Sequence, residues 1–264
     1  MLPASMVPPG APPIGQWISL FNGENLDGWT IKMTHHPIND NYLDTFRVED
    51  GLLRVVYADY TPPFGGEFGH IFYTGFQRVF SHYRLRIEYR IVGAQIAGAP
   101  DWGYRNNGVM IHSESPESMT LDQEFPTSME VQFLGSDAGE ASTPRPTGNV
   151  CSPGTNLVLD GQLHTEHCVL TSSLVIRGEE WVTIEVEVRG NESVTHTVNG
   201  TVTAHYTNLQ YDPNDANARR LIQSADLTLR EGMIALQAES HPTDFRKVEI
   251  MLLDPNAEAT PPAP

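Results

Sequence analysis

Segment 128–134 sets a carboxylate and an amide two residues apart, Glu130 and Gln132. In an extended chain such side chains share a face, while Met129, Val131 and Phe133 form an apolar row on the other. A carboxyl group beside an amide offers both donors and acceptors, which sugar hydroxyls require. The competing reading is the solvated outer face of a sheet. Upstream, segment 102–112 combines the rings of Trp102 and Tyr104 with Arg105, Asn106, Asn107 and His112. Rings give a flat apolar surface for a pyranose, and neighbouring polar groups fix its hydroxyls. Gln237 and Glu239 repeat the two-residue spacing near the end of another expected strand. His167 adjoins Cys168, and Cys151 follows the turn-rich approach to a second apolar run. If the two cysteines are close, His167 is held near the same place. They read either as one bridge, contributing roughly 3 kcal/mol through loop closure, or as two buried thiols.

Among the ten histidines, His112 lies in phase with Met110 at the end of an apolar strand, where it suits a base or a metal ligand. His167, His70 and His241 follow as candidates, the alternative being loop hydrogen-bonding groups or partly buried rings. His35 and His36 read as loop residues, and His82, His164, His196 and His205 as structural or surface groups. Glu88 shares a strand with Arg86 and Arg90, which suggests an ion-pair network. Glu185 and Glu187 point away from the apolar row of Val182, Ile184 and Val186. The chain contains no G-x-S-x-G elbow, P-loop or H-E-x-x-H pair, and no G-x-G-x-x-G turn follows a strand, so no nucleotide cofactor is expected. No E-x-D-x-x-E strand is present, and Glu130 has Gln132 rather than Asp at the next same-face position, so ordinary retaining glycoside hydrolysis with paired carboxylates is weakly supported.

The elements that must position these groups are strands. Period-two alternation runs through 83–91, 128–134 and 182–189, continues through 227–229, 233–236 and 245–253, and flanks expected turns at Asp50-Gly51 and Asn199-Gly200. Only 215–223 invites a helix. The expected class is all-β, a two-sheet antiparallel sandwich. One domain is expected over 16–253, preceded by an extended Pro-rich arm over 1–15 and followed by a frayed tail over 254–264. The turn-rich stretches 58–69, 93–107, 113–126 and 135–166 are long enough to build or cover a site. A net charge of −17 repels phosphate backbones and anionic lipid, so neither nucleic acid nor a membrane surface is the expected partner. No stretch of 18 apolar residues occurs, hence no membrane insertion. The first residues lack the pattern of a secretory signal, which fits either a cytoplasmic protein or a trimmed chain.

Segments 17–29, 83–90, 105–112, 130–135 and 232–241, the last followed by Phe245-Arg246, resemble in order and spacing the 3-keto-disaccharide hydrolase domain family. The resemblance implies a jelly roll of the concanavalin A-like lectin and glucanase type. It implies action on glycosides already oxidised at C3, by hydrolysis or by elimination across C1–C2, with the periplasm or exterior as compartment. It also implies a divalent ion; calcium, manganese and zinc stay open, since no linear motif selects one. The family's usual Asn-Ser-Gly is Asn106-Asn107-Gly108 here, a change that alters contacts while keeping the turn. On such a substrate a base removes the C2 hydrogen and an acid protonates the departing C1 oxygen. His112 or His167 is the expected base and Glu130 the acid or ligand. Asn107, Gln132 and Gln237 are expected to position the sugar, with Trp102, Arg105 and Glu239 contacting it. A non-catalytic carbohydrate-binding module and a conventional glucanase-like hydrolase stand as alternatives, and the oligomeric state is open.

Overall fold

A computed structural model describes residues 13–139 and 143–257. The alternation read over 83–91 becomes the strand His82–Ile91, in which Tyr83, Leu85, Ile87, Tyr89 and Ile91 are buried and each intervening residue is half-exposed. Its neighbours repeat the pattern, and apolar rows that each cover one face must pack on another sheet.

Two antiparallel sheets result. The larger runs, in spatial order, Gln162–His164, Thr155–Leu159, Thr201–Tyr211, Ser193–Val198, Val182–Arg189, His82–Ile91, Thr243–Leu252, Leu52–Val55 and Phe46–Glu49, with Trp17–Ser19 pairing beside Thr243–Leu252. The smaller runs Cys168–Val169, Asn149–Cys151, Met129–Leu134, Asn106–Ser113, Met233–Ala238, Gly69–Tyr73 and Trp29–Met33. Between them lies the core, where Tyr89 stacks on Phe133 at 4.2 Å. The exposed face of the larger sheet carries cross-strand ion pairs: Arg84 with Glu187, Arg86 with Glu185, and Arg246 with Glu88. Those carboxylates are structural, as their phase implied.

Both expected turns have left-handed backbone, at Asp50-Gly51 and Asn199-Gly200. The helix spans Ala216–Leu221, and the Asp215 side chain accepts from the backbone N–H groups of Asn217 and Ala218, capping its first turn. Two expectations need correction. Stretch 135–166 contains three short strands, Asn149–Cys151, Thr155–Leu159 and Gln162–His164; runs of three to five residues between glycines carry too little periodicity to read. The start of the expected tail is tied down, because Ala257 O accepts from Arg189 Nη1 at 2.9 Å. At the other end Gly15 N donates to Leu252 O. Residues 1–12 of the arm and 258–264 of the tail lie outside the described residues. Among those residues no helix is long and apolar enough to cross a membrane.

Unlike the larger sheet, the smaller one is buried on both faces along Asn106–Ser113 and Met233–Ala238. Its outer face is partly covered by loop 114–127, over an apolar cluster of Phe72, Met110, Met119, Met233 and Ala235. One side chain ties that loop at both ends. Glu114 accepts from Gln123 Nε2 (2.6 Å), Thr127 N (2.8 Å) and Ser118 Oγ (2.7 Å). Lys32 Nζ adds a bond to Leu121 O.

Candidate functional site

Strand register decides which side chains meet on the outer face of the smaller sheet. Gln237 pairs with His70. Across Asn106–Ser113, Gly108 pairs with Gln132 and Met110 with Glu130. Glu130 in turn faces Cys151, which faces Cys168. Gly108 is the gap in this surface. A Cβ there would lie 2.7 Å from both Gln237 Oε1 and Glu130 Oε1, so its bare Cα lets those groups converge across the strand.

The groups open into a cavity of about 340 Å³ lined by Trp102, Asn106, Phe125, Glu130, Gln132, Glu239, His167 and the two cysteines. Trp102 stacks on Phe68 at 5.3 Å while staying 48% exposed, so one ring face is free for a ligand. Phe125 arrives on the loop secured by Glu114. Cys151 and Cys168 form a disulfide between neighbouring strands, and Ser152 N donates to His167 O at 2.7 Å. His167 is thus held at the cavity by the bridge, as the sequence reading required if the cysteines met.

Burial pushes the Glu130 carboxyl up to about 8, opposed by the Gln237 amide. Burial also lifts Glu239 well above the carboxylate range, and the Glu130 charge raises it further. His167 is pushed below its usual value by burial, with Asp215 opposing. At neutral pH the cavity therefore presents protonated carboxyls and an unprotonated imidazole. Buried polar atoms ordinarily have partners. Glu130 Oε1, Gln237 Oε1, Glu239 Oε2 and Asn106 Oδ1 have none within the protein. Such a set suits a ligand rich in hydroxyls.

Of the residues expected from sequence, Glu130, Gln132, Glu239, Trp102 and His167 come together here, and Gln237 adjoins Glu130 beside Gly108. Three do not. His112 adopts φ 48 where the ladder slips between Met233 and Ala235. Its ring turns to the core near Tyr83, and its Nε2 bonds Gly190 O at 2.8 Å. Asn107 occupies the opposite phase from Gly108 and reaches Gln237 O and Thr243 Oγ1 between the sheets. Arg105 adopts φ 43 and sends its guanidinium to the carbonyls of Ile91 and Gly178. The expectation that these three share a site with Glu130 is not met.

Sequence reasoning missed Phe125 as a cavity wall, whereas Asn106 belongs to the polar segment 102–112 it singled out and His70 was among its candidate histidines. His70 is buried beside Phe125, 5.7 Å between ring centroids, and neither ring nitrogen has a partner. Burial pushes it down to about 3. The carboxyl pair was also missed, because Glu130 and Glu239 come from different strands and a search along one strand cannot find them.

The divalent ion implied by the resemblance finds no matching donor set here. Among the described residues no group of three His, Cys, Asp or Glu side chains could hold a metal ion. Two carboxyls and nearby amides fall short of a four-ligand zinc set or a six-oxygen calcium shell. Among the described residues these donors do not make up a dedicated metal centre.

Residues 16–251 match the sequence model of the 3-keto-alpha-glucoside-1,2-lyase-like domain. No curated protein was found to match the chain in sequence. Among solved structures the chain is similar to a candidate glycosyl hydrolase from Parabacteroides distasonis ATCC 8503, with 20% identity, 90% of this chain and 94% of that one covered, and TM-score 0.52. A second such protein from the same organism gives 15% identity, 90% and 100% coverage, and TM-score 0.51. The exoplasmic/lumenal domain of VIP36, in its Ca2+/Man3GlcNAc-bound form, gives 10% identity, 93% and 90% coverage, and TM-score 0.50. These likenesses support the expected jelly-roll sandwich.

Proposed function

This chain belongs to the 3-keto-alpha-glucoside-1,2-lyase-like domain family, and from that membership we propose that it cleaves glycosides carrying a C3 ketone by elimination across C1–C2. The observation that carries the reading is one cavity holding two carboxyls with raised proton affinity beside an unprotonated imidazole.

The ketone acidifies the C2 hydrogen. His167 takes that proton, the C2–H electron pair forms the C1=C2 bond, and the C1–O bond breaks. Glu130 gives its proton to the departing oxygen, releasing the aglycone as an alcohol and leaving an unsaturated 3-keto sugar. One proton is taken and one given, so the pair is reset when the proton held by His167 passes through water to the Glu130 carboxylate. Addition of water at C1 afterwards would give the hydrolytic product. Protonated Glu239, the Gln237 amide and Asn106 supply polar contacts to the ketone and hydroxyls, and Trp102 supplies a face for the ring. The disulfide suits an oxidising compartment, which supports the periplasm or exterior.

Incubating a 3-keto-glucoside in D2O tests this. Aglycone release together with the unsaturated sugar or its C2-deuterated hydrate is expected for the native protein, and loss of both for Glu130→Gln and His167→Ala. Unchanged substrate despite measurable binding would replace the proposal with a carbohydrate-binding module. Reducing sugar released from unoxidised glucan would replace it with a glucanase-like hydrolase.

A further inference from the structure

A second cavity, of about 430 Å³, adjoins the first, and Phe125 and His167 line both. Its far side is built from the end of loop 114–127, the Pro153-Gly154 turn and the start of the helix Ala216–Leu221. Thr127 lines it and is 2% exposed, yet its hydroxyl has no hydrogen-bond partner. Gly154 sits opposite in left-handed backbone. A Cβ there would come within 3.0 Å of Thr127 Oγ1 and 3.1 Å of Asp215 Oδ1. The bare glycine thus lets the turn pack close against Thr127 and Asp215, and the unpartnered Thr127 hydroxyl is the group left to meet one sugar hydroxyl as donor or acceptor. Neither Lys nor Arg lines the cavity, whereas Asp122, Glu124 and Asp215 do.

We propose that this second cavity is the leaving-group subsite, taking an uncharged or amine-bearing sugar ring and rejecting uronic acids and sugar phosphates. The proposal rests on the first cavity holding the oxidised ring. His167 stands where the two cavities meet, so a glycoside spanning both passes its scissile bond beside the base. Glu124 and Asp215 repel an anionic ring by like charge, Asp122 being paired with His35 at 2.9 Å, while a neutral or ammonium-bearing ring meets no such repulsion.

The test compares methyl 3-keto-glucoside, which needs the first cavity alone, with a 3-keto-disaccharide and its uronic-acid analogue. Thr127→Val keeps the shape and removes the hydroxyl. It should lower kcat/KM for the neutral disaccharide by roughly 5- to 10-fold, the worth of one neutral hydrogen bond, and leave the methyl glycoside within about twofold. Glu124→Lys, an exposed change that spares packing, should raise relative turnover of the uronic analogue by roughly tenfold for one reversed charge. Equal effects on methyl glycoside and disaccharide, or none on either, would overturn the subsite. Should the native protein turn over neither oxidised sugar, the lyase reading fails separately. The subsite is then judged by calorimetry with the unoxidised disaccharide and methyl glucoside. Tighter disaccharide binding that Thr127→Val abolishes supports it; equal affinities, or no effect of the substitution, refute it.

Discussion

Replacing Glu130 by Gln should make the folded chain more resistant to alkaline pH, and the size of the effect follows from the cavity. Burial pushes this carboxyl from 4.5 up to about 8 in the folded state. A proton held more tightly when folded stabilises the chain fully below pH 4.5, and that stability drains away as pH climbs through 8. The shift is 8 − 4.5 = 3.5 units, and each unit corresponds to about 1.4 kcal/mol. The loss is therefore at most about 5 kcal/mol between pH 4.5 and 8, some 10 °C or more in Tm for a domain of this size. A glutamine keeps the shape and does not titrate. Urea unfolding of native protein and Glu130→Gln at pH 5, 7 and 9 reports on Glu130 together with its effect on Glu239, whose proton affinity the Glu130 charge raises; ionisations away from this pair are common to both. The stability difference should move in favour of the variant by several kcal/mol from pH 5 to 9, most of it complete by about pH 8. A difference flat to about 1 kcal/mol, or one that changes chiefly below pH 5, would refute a buried, proton-holding Glu130.

Other substitutions test the geometry. Trp102→Ala removes a half-exposed ring face and should raise KM by roughly tenfold with little change in Tm, as expected for a lost stacking contact in an otherwise intact cavity. Gly108→Ala would set a methyl 2.7 Å from the Glu130 and Gln237 oxygens. Turnover and calorimetric sugar binding should both be lost while the far-UV circular dichroism spectrum is retained. His112→Ala breaks a buried bond to Gly190 O and should cost about 1–3 kcal/mol in denaturant unfolding, with kcat of the surviving folded protein unchanged.

Strand phase was legible because alternation is a local property. It put Glu130 with Gln132 and Gln237 with Glu239 on common faces, and both pairs meet at the site. The same rule, applied strictly, separates Asn107 from His112, since residues five apart cannot share a face of a regular strand. Asn107 indeed points between the sheets. His112 departs for another reason: a left-handed residue at a slip in the ladder turns its ring inward. Positive φ at a histidine carries no sequence signature, and the same holds for Arg105. Which strands become neighbours is non-local, so the Glu130 and Glu239 pair was hidden, as was the role of Gly108 in bringing the Gln237 and Glu130 oxygens together. Phe125 became a wall only once Glu114 fixed its loop.

The Glu114 anchor has a consequence for how such a protein can be re-engineered. Because one carboxylate grips Ser118, Gln123 and Thr127, the covering segment is clamped by a part that contacts neither sugar ring. Recognition can then be rewritten by grafting new residues at positions 120–122 and 124 between the grips, while Met119 keeps its packing on the sheet and Phe125 its place in the cavity wall. The fold separates a fixed reaction chamber from an exchangeable faceplate.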